Sequence, residues 1–304
     1  MAKTKIIFIG TSEFAAAILE ALVYCPLFSV CCAITAPDKP IGRKKEITPP
    51  PIKITASQNN LPVLQPKKIS GISGKISKLK PDLIITASYG QIIPKSILDI
   101  PKFGCINIHP SLLPKYRGPS PIQTAILNGD RTTGITVMLM DEKMDTGPII
   151  AQKKVAIKNG ENRQDLETRL SLKSANFLLE ILPQYIQGKI KPKKQDNSKA
   201  SYTKIFSRQD GLIDWKKSAK EIERMIRAFE PWPGVWTYVE QLGGSPQLRG
   251  DSSQFRKIKI LKAKAALKPS KMAIKTSKGY LLLKTVQPEG KKPMPAQEFF
   301  RGLR

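Results

Sequence analysis

The 304-residue chain predicts an α/β fold: a doubly wound, mostly parallel sheet, followed by a small β-barrel with one helix. Three observations carry this. Short, nearly continuous apolar runs at 5–9, 29–36, 62–64, 82–87 and 105–108 alternate with helical spacing, the pattern of parallel strands covered on both faces. The stretch from Gly188 to Arg208 then turns basic and almost loses its aliphatic residues, as a linker does. Beyond it, short strand-like segments near 234–240, 256–264, 272–276 and 279–286 follow one helical stretch at 218–228. The expected division is therefore a first domain over 1–188, a basic linker over 189–206 and a second domain over 207–304.

The first run ends in Gly10-Thr11-Ser12 and opens a helix over 13–24, with Phe14, Ile18, Leu19 and Leu22 on one face. One glycine stands where a dinucleotide fingerprint wants three, so this reads as an ordinary tight strand-to-helix turn. Pro37-Asp38 ends the second strand and a long loop with Arg43, Lys44 and Lys45 follows. Helices are expected near 50–60, 70–80 and 92–98. Ligands of doubly wound sheets sit at the carboxyl ends of strands, where Gly10, Asp38, Tyr89-Gly90 and His109 all fall. A helix over 119–128, two antiparallel strands over 135–140 and 149–157, and a long amphipathic helix over 164–187 complete the first domain. In the second, Trp215, Trp232 and Trp236 are expected in the core with Ile213, Phe229 and Val235, and 241–254 reads as a barrel loop.

Charge narrows the choice of partner. There are 51 Lys+Arg against 24 Asp+Glu, a net of +27, and 207–304 alone holds 21 against 9. Such an excess points to a polyanion such as nucleic acid or to an anionic membrane surface, or to an AT-rich coding sequence that favours lysine. No apolar run approaches the roughly 18 residues of a membrane span, and 6–9 is too short for a signal core, so a soluble cytosolic protein is expected. Cys25, Cys31, Cys32 and Cys105 form no C-x-x-C pair and there is one histidine, so buried reduced thiols are expected and a metal site is not.

That single histidine, His109, ends the fifth run two residues after Asn107, and residues two apart on a strand share a face. Asn107, His109 and Asp145 together suit acyl or formyl transfer. The amide and imidazole supply donors to a developing oxyanion, and the carboxylate takes the amine's proton and orients the ring. An amine needs no covalent relay, and no nucleophile elbow is present. Plainer readings exist: a lone histidine bonded to nearby backbone, and an aspartate that only forms a turn before Thr146-Gly147. Leu112 and Leu113, exposed between polar neighbours, would suit a flat apolar ligand.

The run Asn107-Ile-His109-Pro-Ser-Leu-Leu-Pro-Lys-Tyr-Arg-Gly-Pro-Ser-Pro121, followed by Met144-Asp145-Thr-Gly147-Pro148, resembles the signature of folate-dependent formyltransferases. Ile7 to Phe14, Ala36 to Arg43, Ser88 to Ile92, Ile213 to Trp215 and Arg227 to Gly234 resemble the members that act on charged initiator tRNA. The resemblance covers nearly the whole chain. It implies a Rossmann-like catalytic domain and an OB-like barrel that helps hold tRNA. It further implies transfer of a formyl group from 10-formyltetrahydrofolate to the amine of methionine on initiator tRNA, for translation initiation, by a monomer that uses no metal. Asn107, His109 and Asp145 fall on the family's catalytic positions. Ser111, Leu112, Leu113 and Pro114 fall on its folate-contacting loop, and Tyr89, Gly90, Gln91 and Ile92 on a second loop beside the folate. Arg43, Lys44 and Lys45 fall on a loop that grips the acceptor stem, with Lys44 where many relatives carry a second glycine. Formylation of a small acceptor, hydrolysis to formate, and a non-catalytic RNA-binding scaffold remain alternatives. The basic second domain argues against the first two, and the intact Asn107, His109 and Asp145 against the third.

Overall fold

The computed structural model describes residues 3–42, 44–239, 248–249, 256–270 and 273–301. The chain forms two compact units, one of Met1–Pro121, Thr132–Ala156 and Glu167–Thr203, the other of Ile122–Arg131, Ile157–Leu166 and Lys204–Arg304. Among the described residues no helix is long and apolar enough to cross a membrane.

In chain order the first elements are β1 (Thr4–Gly10), α1 (Glu13–Tyr24), β2 (Phe28–Ile34), β3 (Lys39–Ile41), β4 (Glu46–Thr48), α2 (Pro51–Gln58) and β5 (Val63–Leu64). Then come α3 (Ser73–Lys78), β6 (Leu83–Ala87), α4 (Lys95–Leu98), β7 (Cys105–His109), α5 (Pro121–Asn128), β8 (Thr132–Leu139), β9 (Ile149–Ala156) and α6 (Arg163–Ile186). One seven-stranded sheet runs β5-β2-β1-β6-β7-β8-β9. Its first five strands are parallel, and β8 and β9 run antiparallel to their neighbours.

Burial explains the apolar runs. Ile6, Ile7, Phe8 and Ile9 of β1 and Leu83, Ile84 and Ile85 of β6 are fully buried. Each such side chain contributes on the order of 1.5–3 kcal/mol relative to exposure. Gly10 ends β1 where a Cβ would lie 2.7 Å from the Ala15 methyl and 2.8 Å from the Ala87 carbonyl. The lone glycine therefore answers to close helix–sheet packing, which is the plain turn expected of it.

Several expectations need correction. The long loop after β2 is a hairpin of β3 on β4, paired Lys39 to Thr48 and Ile41 to Glu46. The helix expected over 70–80 is a 3-10 turn at Ile69–Ile72 followed by the short α3, since Gly71 and Gly74 weaken a continuous helix. Cys32 and Cys105 are buried, but Cys25 and Cys31 are only half-buried; all four are free thiols.

The second unit adds α7 (Ala219–Phe229), β10 (Val235–Val239), β11 (Leu248–Arg249), β12 (Arg256–Ala266), β13 (Ala273–Lys275), β14 (Tyr280–Pro288), β15 (Met294–Pro295) and α8 (Ala296–Arg301). Its antiparallel sheet runs β11-β10-β12-β14-β13, with β15 beside β14. Ser218 and Glu221 form a reciprocal capping box that starts α7. The helix buries Ile222, Met225, Ile226 and Phe229, with Ile258, Ile260, Leu281 and Leu283 buried on the sheet. α8, β11 and β15 were not anticipated, being too short for a periodic signal. Trp236 is buried and the Trp215 indole donates to Thr237 Oγ1 at 3.1 Å, but Trp232 is 55% exposed, against its expected place in the core. Apart from Leu248–Arg249, the 241–254 loop lies outside the described residues.

Candidate active site

β7 leaves the sheet at His109, and Asn107 stands beside Thr86 of β6 in register. The Thr86 hydroxyl donates to Asn107 Oδ1 at 3.0 Å. Asn107 Nδ2 donates to Asp145 Oδ1 at 3.3 Å. A carboxylate only accepts, so the amide must turn its NH2 toward Asp145 and its oxygen toward Thr86. One Nδ2 hydrogen is spent on Asp145.

His109 is 4% exposed. Its Nε2 lies 2.8 Å from the Tyr116 carbonyl oxygen, which also only accepts, so Nε2 carries a hydrogen. Nδ1 is then the nitrogen without that commitment. It bears a lone pair in the neutral ring and an N–H in the charged ring, and it faces Asp145 Oδ2 at 3.6 Å. Asp145 Oδ2 also accepts from the Gly118 backbone N–H at 2.8 Å. Asn107, His109 and Asp145 thus meet, the amide and the carboxylate being 38 positions apart in sequence.

Bringing Asp145 there demands an unusual loop. Its φ is +55°, a left-handed conformation that costs an ordinary residue roughly 1–2 kcal/mol and that aspartate tolerates better than most. Two residues on, a Cβ at Gly147 would fall 1.9 Å from the Leu139 carbonyl oxygen, so only glycine lets the chain fold back over the end of β8. The Asp141 carboxylate ties the loop internally, accepting from Thr146 Oγ1 at 2.6 Å and Lys143 N at 3.1 Å.

The 109–120 segment is a bonded scaffold. Ser111 Oγ donates to the Lys115 carbonyl at 2.6 Å, and Leu113 N to Thr136 Oγ1 at 3.1 Å. Gln152 Nε2 donates to the Leu113 carbonyl at 2.8 Å. The exposure expected of the two leucines is not found: Leu113 is 3% exposed and Leu112 half-buried, because strands β8 and β9 supply polar partners that draw the loop inward. Arg117 is the bulkiest fully buried side chain in the chain's described residues. Its guanidinium donates to Gln195 Oε1 at 2.7 Å and to Asn197 Oδ1 at 2.8 Å. The Arg117 backbone exchanges 2.8 Å bonds with Ser201 and Thr203. Residues 193–203 of the basic stretch therefore brace this loop, which reading composition alone did not reveal.

In the Tyr89–Ile92 loop, Ser88 and Gly90 have positive φ. Tyr89 packs against a core that includes Ile97, Cys105 and Met140. Its hydroxyl is buried without a hydrogen-bond partner, and burial pushes its pKa up. Thr11, Ser12 and Thr35 carry further partnerless buried hydroxyls at the carboxyl ends of β1 and β2. Gln91 accepts from Ile69 N at 3.0 Å, while Ile92 is largely exposed.

A cavity of about 910 Å³ adjoins this region, lined by Leu98, Cys105, Arg117, Met140, Thr146 and Tyr202 among others. None of Ser111–Pro114 or Tyr89–Ile92 lines it. Cys105 borders it, but burial pushes that thiol up to about 12, so it stays protonated near neutrality and is no nucleophile.

Lys44 and Lys45 are exposed at the tip of the β3–β4 hairpin, and Arg43 lies outside the described residues. Asp38 anchors the hairpin base, accepting from Gln65 and Lys53; the Gln65 amide first, then Lys53, hold its carboxyl below the usual range.

An amide, an imidazole and a carboxylate meeting at the end of β7 suit group transfer, and comparison supplies the class, that of the formyltransferases. Residues 4–182 match the formyl transferase family and residues 205–304 the formyl transferase C-terminal domain, and the chain belongs to this family. It is 41% identical over 99% of its length to the methionyl-tRNA formyltransferase of Roseiflexus sp. (strain RS-1), covering 93% of that protein. It is 40% identical to the enzyme of the same name from Bacillus subtilis, over 98% of this chain and 95% of the relative. Among solved structures, the N-formyltransferase from Helicobacter canadensis, in complex with folinic acid and dTDP-3-aminofucose, superposes with a TM-score of 0.64. It shares 20% identity over 94% of this chain and 99% of that one, a likeness of fold.

Proposed function

We infer that the chain transfers the formyl group of 10-formyltetrahydrofolate to the free amino group of methionyl-initiator tRNA, producing N-formylmethionyl-tRNA for translation initiation in the cytoplasm. The observation that carries this is the meeting of Asn107, His109 and Asp145 in a chain about 40% identical, from end to end, to methionyl-tRNA formyltransferases. In this reading residues 1–188 are the catalytic domain, 189–206 the linker and 207–304 the domain that helps hold tRNA.

The neutral amine attacks the formyl carbon, a C–N bond forms, and the formyl oxygen becomes an oxyanion. The second Nδ2 hydrogen of Asn107 donates to that oxygen, joined by His109 Nδ1 when the ring is charged and that nitrogen carries a hydrogen, worth about 10²–10³ in rate for such a donor. Asp145 takes the proton that the amine sheds, directly or through water. The bond from carbon to the folate nitrogen N10 then breaks, that nitrogen takes up a proton, and the carbonyl re-forms. No thiol intermediate enters, in keeping with the protonated Cys105. Tyr89–Ile92 and Ser111–Pro114 frame the folate in this reading, although neither stretch lines the 910 Å³ cavity. The cations Arg43, Lys44 and Lys45 hold the acceptor stem, and the lysine-rich second unit adds sequence-independent phosphate contacts.

The test is direct. Purified protein, 10-formyltetrahydrofolate and methionyl-initiator tRNA should yield formyl-methionyl-tRNA. Release of formate without it, or formylation of a small amine in preference, would overturn the assignment.

A further inference from the structure

We propose that Gln195 is a positioning residue for formyl transfer: it carries Asp145 into reach of His109 from a stretch of chain that otherwise reads as a basic connector. The proposal rests on the formyl-transfer reading above and adds a residue to it.

Gln195 is half-buried in a run whose neighbours Lys193, Lys194, Asp196 and Asn197 are exposed. Its amide is saturated. Oε1 accepts from Arg117 Nη2 at 2.7 Å and Nε at 3.2 Å. Nε2 donates to the backbone carbonyls of Asp145 at 2.9 Å and Gly147 at 2.8 Å. A guanidinium only donates and a carbonyl only accepts, so the amide has a single orientation, and neither a carboxylate nor an amine meets both demands. The two carbonyls flank Thr146, in the turn where Asp145 adopts its left-handed φ. That backbone conformation aims the Asp145 carboxylate at Asn107 Nδ2, Gly118 N and His109 Nδ1. Gln195 thus ties the loop that carries Gly118 to the loop that carries Asp145, through the buried Arg117. It touches no reacting atom, and its effect is on where the carboxylate stands.

Gln195→Glu separates the two halves of this role. The carboxylate still receives the guanidinium, so Arg117 keeps its partner, but it cannot donate to the carbonyls and repels them. Measured on the full chain with both substrates, kcat should fall about 10- to 100-fold, with each KM within about twofold and Tm no lower than the parent's. A kcat within about threefold of the parent at unchanged Tm, or a rise in KM with kcat retained, overturns the proposal.

A second measurement needs no turnover. His109 is the only histidine, so its ring resonances are unambiguous. In Gln195→Met they should move from the parent's positions in the direction seen for Asp145→Asn; resonances superimposable on the parent's overturn the proposal. If the parent makes no formyl-methionyl-tRNA, the proposed function fails, while the histidine signal still decides whether Gln195 places Asp145.

Discussion

Two connections of the first unit are built in opposite ways. The segment 109–120 is drawn inward: Ser111, Leu113, Tyr116 and Arg117 are all at most 5% exposed, and the segment is bonded to strands β8 and β9 and to residues 195–203. The β3–β4 hairpin stands outward, with Ile47 76% exposed and Lys44 and Lys45 in solvent, carried by its own ladder and by Asp38 at the base. Under the proposed function, the contrast follows from what each would meet. Stabilising a charge that develops on one oxygen requires donors fixed beforehand in a water-poor setting. Meeting a phosphate chain requires solvated cations and little more, because that attraction is long-ranged and tolerant of geometry.

Substitutions break the contrast in graded steps. Asp145→Asn and His109→Ala should each lower kcat by roughly 10²–10⁴-fold while tRNA affinity, read by filter binding, is retained. Loss of binding in proportion would make them structural instead. Gly147→Ala forces a methyl onto the Leu139 carbonyl. It should cost on the order of 1–3 kcal/mol or more in a denaturant titration, with activity lost as Asp145 is displaced. On the outward arm, Lys44→Ala with Lys45→Ala should raise KM for tRNA a few-fold and leave kcat nearly unchanged. The slope of log affinity against log salt should flatten by about 0.7–0.9 for each phosphate no longer neutralised; an unchanged slope would remove the hairpin from the tRNA surface.

The smallest effect sharpens the picture of the interior. Burial pushes Cys32 up to about 11 and Cys105 up to about 12. Since the thiolate reacts, a raised pKa means the fraction available at pH 8 is on the order of 10⁻³ and 10⁻⁴, growing only as pH climbs toward those values. Alkylation followed by mass spectrometry should therefore mark half-buried Cys25 first and spare Cys105, with no loss of formylation. Rapid labelling of Cys105 at pH 8 would mean the core beneath Asn107 opens.

Much of the architecture was legible in the residues. The apolar runs placed β1, β2, β6 and β7 to within a residue or two, because a strand covered on both faces has few polar positions to blur it. Less was legible where an element is short or owes its existence to a partner. The β3–β4 hairpin, α8 and β15 carry too few residues for periodicity to register. Leu113 and Trp232 were misplaced because burial is decided by what comes to lie alongside, which local spacing does not contain.

By itself the sequence determined which chemistry was possible: one imidazole, an amide two residues before it on the same strand face, and a carboxylate in a glycine-bearing turn. Those are local facts, set by residue type and strand geometry. Only the tertiary structure decided that Asp145 reaches them, which nitrogen of His109 faces it, and that Gln195 and Arg117 hold the turn in place. Those depend on hydrogen bonds between residues dozens of positions apart, whose directions exist only once the loops have closed over the sheet.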